Sequence, residues 1–199
     1  WAGRSEFECD RARKLAVQGY VGFACDLYGK GVLGNSMEKN AALMQPFLDD
    51  RVMLQSRLSK ILHTLQTQTE VDADNIAAMG FCFGGLCVLD LARIGSDIKG
   101  VISFHGLFGA ADNTAGTTIK AKVLALHGHE DPMVLVEAVA ALQNELTAAG
   151  ADWQIHVFGN TMHAFTNPKA NDPAFGTVYS DTADQRSWRL LLDFLREIF

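Results

Sequence analysis

The chain contains no run of 18 apolar residues, so no part of it is long enough to cross a bilayer as an apolar helix. It has no Asn-x-Ser/Thr acceptor site, no internal repeat and no low-complexity tract. Its four cysteines form no closely spaced framework, which excludes a disulfide scaffold and points to a reducing compartment, the cytoplasm. Positive charge is not in excess. The net charge of −6 argues against nucleic acid or an anionic membrane as partner. The glycines of residues 80–85 form neither a G-x-G-x-x-G fingerprint nor a P-loop, so they imply no nucleotide cofactor. It does not start with Met, and any start or targeting signal is expected upstream of Trp1.

What is present is ordinary for a soluble globular protein: 199 residues, 48% apolar and 20% charged. That length predicts one domain, residues 1–199, with a full core.

The distinctive stretch is Met79-Gly80-Phe81-Cys82-Phe83-Gly84-Gly85. A small apolar run, Ile76 to Met79, precedes it, and a helical pattern from Leu86 to Arg93, stopped at Gly95, follows. Strand, sharp turn and helix are the setting of a nucleophile elbow, G-x-Nuc-x-G, with cysteine as the nucleophile. Gly80 and Gly84 are expected there because side chains two residues either way would strike the adjoining strand or helix. The turn also puts Cys82 at a helix N-terminus, which favours a thiolate. Cys9, Cys25 and Cys87 read as inert thiols.

In chain order, the capping box Ser5-x-x-Glu8 opens a helix that ends near Gly19. Residues 20–25 form an apolar run that predicts a strand buried on both faces, and the loop after it offers Tyr28 to a ligand. Residues 31–48 read as irregular, and 50–66 as an amphipathic helix. Further strands are predicted at 100–105, 122–127 and 153–158, with helices over 133–149 and 184–199. Loops fill 106–121 and 159–183. The alternation predicts an α/β fold with a mainly parallel sheet and helices on both faces.

A cysteine nucleophile needs a base, and the base needs a third group to hold its tautomer. Asp131 stands just past one predicted strand and His163 past the last, in the order nucleophile, acid, histidine. Glu130 is the rival acid. His127, His129 and Glu130 admit a metal-site reading, but no further ligand set accompanies them. His105 reads as structural, and His63 and His156 as ordinary helix and strand residues.

These pieces resemble the dienelactone hydrolase family, α/β-hydrolases with a cysteine nucleophile. The matching segments are Gly19-Tyr20, Asp26-Leu27-Tyr28-Gly29, Gly80-Phe81-Cys82-Phe83-Gly84-Gly85, His127-Gly128, Asp131-Pro132 and His163-Ala164-Phe165. The resemblance implies Cys82 as nucleophile, His163 as base, Asp131 as its orienter, and hydrolysis of a lactone or carboxylic ester without a cofactor. It implies oxyanion donation by the backbone N–H groups of Phe83 and Trp1, and substrate contacts from Tyr28 and Phe165. The expected partner is a small lactone or ester, with the chain as monomer or homodimer.

The family also carries a buried glutamate, which would fall just before Trp1, on a strand between those assigned here to 20–25 and 76–79. Either that strand lies upstream, or the two flanking strands pair directly. The arginines that bind a carboxylate substrate in the family are absent from residues 34–40 and 163–168, so a less acidic ester fits as well as dienelactone. A general carboxylesterase or thioesterase, or an impaired scaffold kept as a binding module, are the alternatives.

Overall fold

The structure is a computed structural model that describes residues 1–199. It comprises two compact units, Trp1–Ala73 and Asp74–Phe199.

The first unit is helical. Helix α1 (Glu6–Val17) starts at Ser5, whose backbone N–H donates to the Glu8 carboxylate at 2.7 Å while its hydroxyl accepts from the Glu8 backbone N–H, completing the capping box, and also from Phe7 N–H. Such caps contribute about 1 kcal/mol. Helix α2 (Met37–Asp49) is capped by Ser36, and α3 (Arg51–Gln66) by Asp50. The expectation of an irregular 31–48 is therefore corrected. Pro46 lies in the last turn of α2, where its missing N–H removes one hydrogen bond without breaking the helix.

Residues 20–25 are also corrected, because no strand forms there. The segment joins neither sheet, and it comes so close to α1 that a Cβ on Gly22 would sit 2.1 Å from the Ala12 carbonyl oxygen. Val21 and Phe23 are 59% and 52% exposed. An apolar run alone does not make a strand; a ladder partner does.

The second unit is built on a four-stranded parallel sheet in the order β1 (Ala77–Phe81), β2 (Gly100–Phe104), β3 (Lys122–Gly128), β4 (Trp153–Phe158). β1 is at the sheet edge, so direct pairing with 20–25 is not made. β2 and most of β3 are buried, as their continuous apolar sequence requires. Helices α4 (Phe83–Arg93), α5 (Val136–Ala148) and α6 (Asp181–Ile198) belong to the same unit, and α5 starts three residues later than its apolar pattern suggested. Val101, Leu124, Leu126, Leu142 and Leu191 are among its core residues.

Two features were not foreseen. Inside the 159–183 loop a hairpin forms from β5 (Asn171–Asp172) and β6 (Thr177–Val178). And Arg93 is buried with all five N–H donors engaged. They reach Glu145 twice, at 2.7 and 2.8 Å, then Asp90 at 3.2 Å and the Phe108 and Gly109 carbonyls at 3.0 Å. The planar fork thus pins the loop that leaves β2.

Candidate active site

Because β1 to β4 are parallel, the loops leaving their carboxyl ends share one sheet edge. Cys82 leaves β1, His105 leaves β2, Asp131 follows β3 and His163 follows β4.

Cys82 occupies the turn between β1 and α4 at φ +53°, a conformation that a non-glycine residue adopts at a cost of about 1–3 kcal/mol. Its peptide is held on both sides. Cys82 N–H donates to the Phe104 carbonyl at 3.0 Å, and its carbonyl accepts from Gly85 N–H at 2.9 Å. The glycines divide differently from the motif's expectation. A Cβ on Gly80 would lie 1.9 Å from the Gly84 carbonyl oxygen, so Gly80 is required. A Cβ on Gly84 meets open space, whereas one on Gly85 would lie 2.6 Å from Gly106 Cα. The close approach is one residue later than predicted.

His163 and Asp131 are both buried, and His163 Nδ1 is 2.6 Å from Asp131 Oδ2. An ionised carboxylate can only accept, so Nδ1 carries the proton and Nε2 is left for another group. The second carboxylate oxygen of Asp131 accepts from Met133 N–H at 2.8 Å. Nε2 makes no ordinary hydrogen bond, and it interacts with the half-buried Cys82. Such contacts are often loose before substrate binds.

The electrostatics are reciprocal. Burial pushes the Cys82 thiol up, but the His163 ring and the Phe83 backbone N–H offset it, and the net shift is downward. Burial pulls His163 down, yet the Asp131 hydrogen bond and Cys82 raise it to about 9. Both shifts favour an imidazolium beside a thiolate.

His105, read from sequence as structural, is buried with its ring 5.0 Å from that of His163, at a steep angle. Its Nε2 bonds Thr166 Oγ1 at 2.8 Å. Phe165 is fully buried between His105 and Phe158, so it holds the loop together and offers no face to a ligand. Glu130 does not approach His163 as a rival acid. Its carboxylate accepts from Thr161 N–H at 2.6 Å, which holds it below the usual carboxylate range. His127 is buried, and burial pulls its pKa down. His129 and Glu130 are exposed, so the three diverge, and no cluster able to hold a metal ion occurs.

Trp1 and Tyr28 lie in the first unit, where the Tyr28 hydroxyl donates to the Trp1 carbonyl at 2.9 Å. None of the four cysteines is in a disulfide, and burial beside Asp26 pushes Cys25 up to about 11. A thiol so shifted is inert at neutral pH. No helix is long and apolar enough to cross a membrane.

The sequence model of the dienelactone hydrolase family matches residues 1–199. The chain belongs to that family. Dienelactone is a cyclic ester, so this places the protein among the hydrolases that cleave ester bonds. The fold agrees. The solved structure of m3DLH superposes with a TM-score of 0.92 at 38% identity, covering 99% of this chain and 82% of the other. That of P91, a dienelactone hydrolase-like promiscuous phosphotriesterase from metagenomic libraries, has a TM-score of 0.93 at 34% identity with the same coverage. The uncharacterized protein K02A2.1 of Caenorhabditis elegans is 36% identical over 149 residues, 73% of this chain and 94% of the relative.

Proposed function

We propose that the protein hydrolyses a small lactone or carboxylic ester, with Cys82 as nucleophile, His163 as acid and base, and Asp131 as its orienter. The observation that carries this reading is the buried 2.6 Å Asp131–His163 contact beside a cysteine in a strained elbow. The family match over residues 1–199 supports treating the whole chain as one hydrolase domain. Four cysteines outside any disulfide suit a reducing compartment such as the cytoplasm.

The Cys82 thiolate attacks the acyl carbon, and the carbonyl electrons move to its oxygen. In this reading Phe83 N–H, at the start of α4, stabilises that oxyanion. Collapse forms the thioester and expels an alkoxide, which takes the proton from His163 Nε2. The neutral ring then removes a proton from water, whose oxygen attacks the thioester. A second collapse releases the carboxylic acid and regenerates the thiolate–imidazolium pair. Asp131 stays ionised throughout and holds the ring. No cofactor enters this sequence. With no arginine in residues 34–40 and 163–168, substrates less acidic than dienelactone fit as well as dienelactone itself.

The experiment is turnover of p-nitrophenyl acetate by the protein and by Cys82→Ala, with intact mass taken early in the reaction. Turnover lost in the variant, with a transient acetyl adduct on the parent, supports the reading. Equal turnover and no adduct reject it and leave a scaffold that binds without reacting. The likeness to P91 favours a second reading, displacement at phosphorus by the same thiolate. Paraoxon turnover that disappears in Cys82→Ala tests it.

A further inference from the structure

Asp131 has a neighbour on each side, and both reach the segment that holds His163. On one side, Glu130 accepts Thr161 N–H at 2.6 Å, while Glu130 N–H donates to the Thr161 carbonyl at 3.0 Å. Thr161 is two residues before His163, and the residue before it, Asn160, lies in the left-handed region at φ +54°. A carboxylate that accepts the next N–H helps to hold that turn.

On the other side, Pro132 lies against Gly176. A Cβ on Gly176 would be 2.1 Å from Pro132 Cγ, and its φ of +84° already favours glycine. The Gly176 carbonyl accepts His163 N–H at 3.0 Å, and Val178 N–H donates to the His163 carbonyl at 3.1 Å. Both main-chain polar groups of His163 are thus bound to the β5–β6 hairpin, and the hairpin meets Pro132 through its turn glycine.

We propose that Glu130, Pro132 and Gly176 form a clasp that fixes the separation of Asp131 and His163, and through it the reactivity of Cys82. They are positioning residues, for none touches the reacting atoms. The inference rests on the catalytic reading of Cys82, His163 and Asp131 given above. Its logic is geometric. The acid and the base stand on loops from different strands, and their contact survives only if the loops cannot slide. The clasp ties the main chain of one loop to side chains that flank the acid in the other. A displacement of about 1 Å in such an arrangement can lower a rate by as much as about 100-fold.

The test compares Glu130→Ala, Glu130→Gln, Gly176→Ala, Pro132→Ala and the Pro132→Ala/Gly176→Ala pair in the full chain. Three quantities are read: the low-field proton resonance of His163 Nδ1, the pH dependence of Cys82 alkylation by iodoacetamide, and kcat and KM for p-nitrophenyl acetate. The groups acting directly on His163, namely Asp131, Cys82 and the His105 ring, are unchanged throughout.

In Glu130→Ala and Gly176→Ala, the resonance is expected to move upfield or broaden, and alkylation to need a higher pH. The kcat falls about tenfold with KM within about twofold. Glu130→Gln keeps an acceptor oxygen for Thr161 N–H and restores most of the loss. Removing the Pro132 ring atoms opens room for the new Cβ but leaves a non-glycine backbone at φ +84°, so the double variant regains only part of the Gly176→Ala loss. Should Glu130→Ala not fold, Gly176→Ala and the Pro132→Ala/Gly176→Ala pair carry the same readouts. An unaltered resonance and alkylation profile in folded Glu130→Ala and Gly176→Ala overturns the clasp. A parent that turns over no ester overturns the catalytic reading instead, and the resonance still decides the clasp.

Discussion

Asp131 Oδ2 and His163 Nδ1 are 2.6 Å apart, with both side chains withdrawn from water. In that setting the carboxylate's charge is poorly screened, and it holds the imidazole in one tautomer while favouring its protonated form. Asp131→Asn retains the shape and removes the charge. His163 should then titrate well below its present value of about 9, and the Cys82 thiol should rise toward its ordinary range. The expected loss in kcat is on the order of 100-fold or more. NMR titration of the His163 ring, run beside steady-state kinetics, checks both parts.

The same pair sets the pH profile. Thiolate increases as pH rises through the Cys82 pKa, which lies below its ordinary value, so the ascending limb of kcat/KM falls below pH 9.0. The imidazolium that protonates the leaving group is lost as pH rises through about 9, which makes the descending limb. The two limbs belong to the coupled pair rather than to either residue. In Asp131→Asn the ascending limb for alkylation moves to higher pH. A parent profile that climbs steadily past pH 10 with no descending limb would contradict the assignment.

Much of this arrangement was legible in the sequence because two kinds of signal are local. Strands β2 and β3 are buried almost throughout, so they read as continuous apolar runs, and the elbow announces itself by glycines about one cysteine. The order of Cys82, Asp131 and His163 along the chain then suffices to bring them to one sheet edge. What was not legible depends on partners. Residues 20–25 have the composition of a buried strand and no ladder. Helix α2 hides behind Pro46, although Leu43, Met44, Phe47 and Leu48 carry a helical spacing that could have found it. The β5–β6 strands are two residues each, below any periodicity. The contact of His105 with His163 follows only from the sheet order, which puts β2 next to β1.

The elbow glycines give a contrast that the motif alone would miss. Gly84→Ala projects into open space within the first turn of α4, where alanine is the better helix former by about 1 kcal/mol. It should leave stability and kcat near those of the parent. Gly85→Ala forces its Cβ to 2.6 Å from Gly106 Cα, backbone that cannot yield as a side-chain tip can. It should lower stability by about 1–3 kcal/mol and displace Cys82. Thermal unfolding and ester turnover of the two variants, measured together, separate these outcomes.

Arg93 offers the test of what holds the β2 loop in place. Its five donors serve Asp90, Glu145 and the carbonyls of Phe108 and Gly109, and Asp90 is itself fully buried. Replacing arginine by methionine keeps much of the volume but removes the cation and its donors from the buried Asp90 carboxylate and the buried Phe108 carbonyl. Breaking a buried pair in this way costs about 3–5 kcal/mol. Arg93→Lys keeps the charge and loses the fork, so it should fall between methionine and the parent. The denaturant midpoint ranks the three proteins. An Arg93→Met variant as stable as the parent would show that the loop is held by packing and not by the guanidinium.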